Sequence, residues 1–288
     1  MSEERSKVTI IDLQAKKDKE RPITMVTAYD YPTGVLADRT GMDIILVGDS
    51  LAMVVLGYEN TVTVTMEEML HHCRAVARGA KYPLLVGDMP FMSYHVSTAQ
   101  AVENAGRFLK EGDMDVVKLE GGQERAQAVR AIVDAGIPVM GHIGLTPQTI
   151  SKLGGFRTQG KTVEAALQLI DDALALEEAG CFSLVLEAIP DRVATLITQK
   201  LKIPTIGIGA GAGTDAQVLV LHDMLGMFDR FTPKFVKKYA DFFETGTKAL
   251  QQYIQDVEQK VFPGPEHVFT IKDDVYEALL AELERARR

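Results

Sequence analysis

Several ionisable residues in this sequence stand at the ends of short apolar runs. Leu46-Val47-Gly48-Asp49-Ser50 and Leu85-Val86-Gly87-Asp88-Met89 both run into Gly-Asp, and the two aspartates are 39 positions apart. Lys118 and Glu120 follow in Val117-Lys118-Leu119-Glu120, His142 follows Val139-Met140-Gly141, and Glu187 follows Leu184-Val185-Leu186. Carboxylates, an ammonium and an imidazole in one place can bind a hard cation, hold an anionic substrate and move a proton. Oxygen donors without cysteine suit Mg²⁺ or Mn²⁺ better than Zn²⁺. Asp49 and Asp88 are therefore expected as metal ligands, with open positions for a bidentate ligand such as a 2-oxo acid. Each aspartate taken alone suits the capping of a following turn as well; the matched Gly-Asp pair favours the metal.

Lys118 and Glu120 are two apart, so on a strand they share one face. A lysine among carboxylates keeps its proton. That weighs against a Schiff-base lysine, which needs a neutral amine, and leaves substrate binding or a structural ion pair. Glu187 is expected as a general base at the carbon beside a metal-bound ketone; the alternative is an acid ahead of a helix opened by Pro190 as an N1-type proline. His142 is expected either to hydrogen-bond the substrate or to order its own loop.

Positioning such residues together requires parallel strands whose C-terminal ends share one mouth. Apolar runs at 23–28, 43–47, 83–86, 115–119, 137–140, 182–186, 203–206 and 218–221 are almost all separated by helical patterns. They predict a (β/α)8 barrel, with a doubly wound open sheet as the runner-up. Thr65 and Glu68 form a capping-box pattern, and Gly41, Gly79, Gly136 and Gly180 are natural helix stops. A leading helix is expected over 9–17, an extended loop or small hairpin over 58–65, and a glycine-spaced loop over 141–160. Asp215 is expected to open a short helical turn. The run Gly207–Gly213 lacks the context of a dinucleotide fingerprint and suits an anion nest or a tight turn equally. The apolar, aromatic loop Met89–His95 suits a lid, or a wall for a flat second substrate.

The chain is expected to be one domain over 1–288, with the barrel over 23–226 and a C-terminal helical region over 232–288. That region ends in an amphipathic helix over 273–288, and its aromatic residues are expected to pack on the barrel or on a partner subunit. With 288 residues, 46% of them apolar, a single large core is affordable. A net charge of -9 argues against nucleic acid or an anionic membrane as a general partner. The two cysteines form neither a metal cluster nor a disulfide framework. No apolar run is long enough to span a bilayer, so a cytoplasmic protein is expected.

These motifs resemble the ketopantoate hydroxymethyltransferase family. The resemblance runs from about residue 7 to 263. It includes Thr27-Ala28-Tyr29-Asp30, Val47-Gly48-Asp49-Ser50, Gly57-Tyr58 to Thr65, Gly87-Asp88-Met89-Pro90-Phe91 and Lys118-Leu119-Glu120-Gly121-Gly122. It continues through Gly141-His142-Ile143-Gly144-Leu145-Thr146-Pro147, Gly154-Gly155-Phe156, Leu186-Glu187-Ala188-Ile189-Pro190, Gly207–Gly213 and Asp223-Met224-Leu225-Gly226. The resemblance implies a barrel of the phosphoenolpyruvate/pyruvate type. It implies hydroxymethyl transfer from 5,10-methylenetetrahydrofolate to 3-methyl-2-oxobutanoate, in pantothenate and coenzyme A synthesis. It implies Mg²⁺ on Asp49 and Asp88 with Glu120 beside it (Mn²⁺, Zn²⁺ or Co²⁺ as substitutes), and Ser50 and Lys118 on the oxo acid. Glu187 is then the base at C3, with His142 lining the site, and the assembly is a homo-oligomer, often a decamer built as a pentamer of dimers. A folate-independent, metal-dependent aldolase, lyase or mutase would use the same residues; a Schiff-base aldolase on Lys118 and a non-catalytic barrel are more distant alternatives.

Overall fold

The computed structural model describes residues 5–150, 155 and 157–287. Of the Gly154-Gly155-Phe156 motif, Gly154 and Phe156 lie outside the described residues. Eight parallel strands close into a barrel in sequence order: β1 (Ile23–Thr27), β2 (Ile44–Val47), β3 (Leu84–Asp88), β4 (Val116–Glu120), β5 (Val139–Gly144), β6 (Ser183–Glu187), β7 (Thr205–Ile208) and β8 (Ala216–Leu219). Strands buried on both faces need apolar residues at nearly every position, and these sequences supply them.

Alternation sorts the strand residues into two cores. Met25, Ile44, Leu46, Leu84, Val86, Val116, Met140, Val185, Ile206 and Val218 point into the barrel. Ile45, Val47, Leu85, Val117, Leu119, Val139, Leu184 and Leu186 point outward into the helix layer. That layer is made of α2 (Tyr31–Thr40), α4 (Met66–Gly79), α5 (Thr98–Lys110), α6 (Ala126–Asp134), α7 (Val163–Ala179) and α8 (Asp191–Lys200). The Thr65–Glu68 capping box forms as its spacing predicts, and Gly41 and Gly180 end their helices in the left-handed region. The leading helix, α1 (Ile10–Asp18), closes the N-terminal end of the barrel: fully buried Leu13 joins the interior core, and Lys17 pairs with Asp215 at 2.8 Å.

The structure departs from the expectations in ways that share a cause. Hydropathy ends a strand at its first polar residue, but the backbone ladder does not depend on side-chain polarity. β3 therefore runs through Asp88, β4 through Glu120, β5 through His142 to Gly144, and β6 through Glu187. Asp88 and His142 are strand residues, whereas Asp49 lies just past β2. Asp215 opens no helix; its carboxylate serves Lys17 and Thr205 instead. Pro190 is the N-cap of α8 and not its first residue. Residues 58–65 form no hairpin, and a short α3 (Leu51–Val54) precedes them. In the glycine run, Gly211 has a φ of +79° and lies against Asp191 closer than a Cβ would allow, which assigns it to tight packing.

The chain divides into two compact units, Met1–Ala240 and Asp241–Arg288. After β8 comes α9 (Leu221–Met224), then an irregular segment over 227–240, although the helical region was expected to begin at 232. The second unit holds α10 (Phe242–Glu258) and α11 (Asp273–Arg285), with Phe262 between Tyr253 and His267 at ring-centroid distances of 5.7 and 5.1 Å. Among the described residues, no helix is long and apolar enough to cross a membrane.

Candidate active site

Asp49, Ser50, Asp88, Lys118, Glu120, His142 and Glu187 all line one cavity of about 420 Å³ at the C-terminal mouth of the barrel. Strand register brings them there. Asp88 lies opposite Lys118, Glu120 opposite His142, and Glu187 opposite Gly144. Each of these side chains has the inward parity of its strand, so neighbours in register become neighbours in the mouth. Gly144 is required where β5 meets Glu187: its φ is +99°, and a Cβ there would stand 2.2 Å from the Glu187 carbonyl oxygen. Ala188, directly after Glu187, also has a left-handed φ of +48°. Hydrogen bonds of 2.9 Å from its N–H to Ile208 and from Gln159 to its carbonyl hold it there. Strain of this kind is tolerated where the surroundings fix a functional side chain.

Lys118 donates to Asp88 Oδ1 at 2.6 Å, and the Asp49 N–H donates to Asp88 Oδ2 at 3.1 Å. His142 bridges two carboxylates, with Nδ1 3.4 Å from Glu120 and Nε2 3.2 Å from Glu187. These are ionic contacts longer than well-formed hydrogen bonds. Ser50 Oγ lies 2.9 Å from the hydroxyl of buried Tyr29. Four acids thus face one lysine and one histidine.

The electrostatics follow from that imbalance. Burial, then the neighbouring Asp88 and Glu120, push the Asp49 carboxyl well above the usual range. Burial alone would lower the Lys118 ammonium, but Asp88, Glu120 and Asp49 outweigh it and hold it above its ordinary value. That keeps the lysine charged, as its neighbours in sequence predicted. Burial and the Lys118 charge oppose protonation of His142; the flanking carboxylates prevail and lift it to about 9. Burial would likewise raise Glu120, but His142, Lys118 and the Gln148 amide hold it below the carboxylate norm.

Among the described residues no three His, Cys, Asp or Glu side chains are gathered as a metal site. The donors present still fit a hard divalent cation. Asp49 and Asp88 are adjacent and buried, their donor atoms are oxygens, and the neighbouring negative charge that adds to burial in raising Asp49 is what such a cation would neutralise.

Two residues outside the sequence expectations complete the site. Gln148 Nε2 donates to Asp49 Oδ2 at 3.0 Å and to the Met89 carbonyl at 2.9 Å, while its backbone N–H donates to Glu120 at 3.1 Å. Tyr94 donates to Gln148 Oε1 at 2.6 Å and accepts from the Glu120 N–H at 3.1 Å. Because the Met89 carbonyl can only accept, and Tyr94 supplies a hydroxyl to the other end, the amide has one satisfied orientation. Gln148 directly follows the Gly141–Pro147 motif, the one signal that pointed near it. The Met89–His95 loop does not line the cavity; through Tyr94 it props Gln148 instead. Its place as an aromatic wall is taken by Phe228, Phe231 and Phe235.

A family model described as ketopantoate hydroxymethyltransferase matches residues 7–265. The 3-methyl-2-oxobutanoate hydroxymethyltransferase of Syntrophobacter fumaroxidans is 58% identical over 265 residues, covering 92% of this chain and 94% of that relative. The enzyme of the same name from Moorella thermoacetica is 59% identical over 266 residues, covering 92% and 99%. Among solved structures, phosphonopyruvate hydrolase in complex with oxalate and Mg²⁺ superposes with a TM-score of 0.57 at 13% identity, over 97% of each chain. 2,3-Dimethylmalate lyase, a member of the PEP mutase/isocitrate lyase superfamily, gives 0.52 at 12% identity, over 96% of each. At that identity the likeness is one of fold.

Proposed function

The chain belongs to the ketopantoate hydroxymethyltransferase family, and on that premise we propose how its barrel mouth transfers a hydroxymethyl group to 3-methyl-2-oxobutanoate. The donor is 5,10-methylenetetrahydrofolate; the products are 2-dehydropantoate and tetrahydrofolate. The observation that carries the mechanism is the placement of Glu187 at a strand tip, in one cavity with the Asp49–Asp88 pair and with His142 3.2 Å away.

Asp49 and Asp88 would hold Mg²⁺, with Glu120 beside them. When bound, the cation supplies Lewis-acid polarisation of the oxo acid's ketone. Ser50 and the charged Lys118 bind the oxo acid through its oxygens. Glu187 takes the proton from C3, and the C–H electron pair moves toward the ketone oxygen. His142, protonated between Glu120 and Glu187, faces the charge that develops there. C3 then forms its bond to the one-carbon unit, both bonds from that unit to the folate nitrogens break, water supplies the hydroxyl, and the proton taken from C3 and the second proton of water end on the two nitrogens. Met25, Val218 and Ile208 on the opposite wall fit the two methyl groups on C3. Lys118 held as an ammonium by Asp88 supports this route over a Schiff base.

The family likeness also supports a cytoplasmic homo-oligomer, a pentamer of dimers, and the net charge of -9 supports small molecules over nucleic acid as what it acts on. The test is a hydroxymethyl-transfer assay with the oxo acid, the folate donor and a chelator varied in turn. Turnover is expected only with both substrates and to stop on chelation, returning with Mg²⁺. Turnover without folate, or undiminished by full metal removal, contradicts the proposal.

A further inference from the structure

We infer that folate binds over the outer part of the cavity, where Asp223 grips the pterin's N–H edge, the 227–240 segment supplies an aromatic wall, and Lys234 with Arg157 receives the glutamate carboxylates. The inference rests on the folate-dependent reaction proposed above and assigns residues to its second substrate.

The cavity reaches well beyond what a small oxo acid fills. From Asp49 and Asp88 it extends to Phe228, Phe231, Lys234 and Phe235. The 227–240 segment has no regular secondary structure, and long irregular loops at a barrel mouth are where ligands are gripped. Phe231 is 66% exposed at the cavity rim. An aromatic ring left that open is poorly used by the fold and well placed to stack on a flat heterocycle.

Asp223 follows β8 on α9, lines the same cavity and is half-buried. Its carboxylate makes no hydrogen bond to any described residue. A carboxylate offers acceptors only, as do an oxo acid's oxygens, so Asp223 repels that substrate. It does match a ligand edge carrying two adjacent N–H groups, which the 2-amino and N3–H of a pterin present. Burial pushes the Asp223 carboxyl up to about 6, so at neutral pH it is an under-satisfied carboxylate.

Lys234 and Arg157 line the cavity too, and neither forms an ion pair among the described residues. An acceptor for an N–H edge, an aromatic wall and two open cations together describe a flat heteroaromatic ligand with an anionic tail.

The test uses Asp223→Asn and Lys234→Ala in the full-length Mg²⁺-loaded enzyme, with tetrahydrofolate affinity measured by calorimetry and both Michaelis constants by turnover. Asp223→Asn is expected to weaken tetrahydrofolate binding and raise the donor KM at least about tenfold, the scale of losing a charged hydrogen-bond pair. The oxo-acid KM is expected to stay within about twofold. Lys234→Ala is expected to raise the donor KM about three- to tenfold, an effect that disappears with 5,10-methylenetetrahydropteroate as donor, which lacks the glutamate. Wild-type tetrahydrofolate affinity in both variants overturns the inference, as does a loss shared equally by the two substrates. A wild-type enzyme that neither binds tetrahydrofolate nor requires its methylene form refutes the donor itself, and the inference with it.

Discussion

The two sides of the barrel mouth differ in kind. From β2 to β6 the wall is ionic: Asp49, Asp88, Lys118, Glu120, His142 and Glu187 stand side by side, all but Glu187 buried. From β7 through β8 to β1 it is mostly apolar: Ile208, Val218, Val220 and Met25, with Thr27 and, past β8, Asp223 as its polar members. The contrast separates two requirements of one reaction. Proton removal from carbon needs closely matched charges in a dry setting, where each is stabilised by the next. A carbon bearing two methyl groups needs a wall that takes them up and keeps water away. Charges distributed evenly round the mouth would serve neither requirement.

The largest expected effect tests the ionic side. Glu187→Gln should slow exchange of the C3 proton into heavy water by about 10²–10⁴-fold, the usual range for a general base, while oxo-acid binding persists. NMR of the oxo acid with enzyme and Mg²⁺ reads this directly, and exchange at the wild-type rate would remove Glu187 from its role. A smaller effect is expected one layer back. Gln148→Leu takes away the donor that fixes Asp49 and should weaken Mn²⁺ binding, followed by electron paramagnetic resonance, about 10-fold. Tyr94→Phe should cost less, because Asp49 keeps its donor. Equal affinity in Gln148→Leu would show that Asp49 needs no support.

The smallest effect concerns the apolar side, where Asp223 is the single acid after β8 facing the cavity. Its carboxyl titrates near 6 in the fold against 3.8 in the unfolded chain. Between those values the folded state binds the extra proton, so stability falls as pH rises through the window, and the loss is complete above it. Asn does not ionise. Asp223→Asn should therefore melt with wild type near pH 4 and be more stable above about pH 6.5, by about 1 kcal/mol once solvent screening is allowed for. Greater stability with poorer folate binding is what a ligand-binding acid predicts; a variant less stable at pH 8 would assign Asp223 to the architecture.

The ionic side was largely legible in sequence because its residues terminate apolar runs. Asp49 and Asp88 announce themselves by matching Gly-Asp tips, and Lys118 and Glu120 by spacing. The sequence could not say that β5 continues through His142, since glycine and histidine end a hydropathic run without ending a ladder. Gln148 sits on a three-residue 3₁₀ turn and Tyr94 on a loop, neither long enough to show a periodicity, and their roles exist only once these segments converge. The apolar side was read least well. Its aromatic wall comes from 227–240, which has the composition of a helix but is not helical, while the better-looking aromatic loop at Met89–His95 faces inward to Gln148.

The paired register of β3 to β6 has a consequence for how such a chain can diverge. Loops at the mouth can grow or shrink by any number of residues. A strand cannot: one residue gained within β4 would turn Lys118 and Glu120 toward the helices and bring Leu119 to face the cavity. Descendants of this chain are thus free to change what they bind above the barrel, while strand length from β3 to β6 can alter only in steps of two.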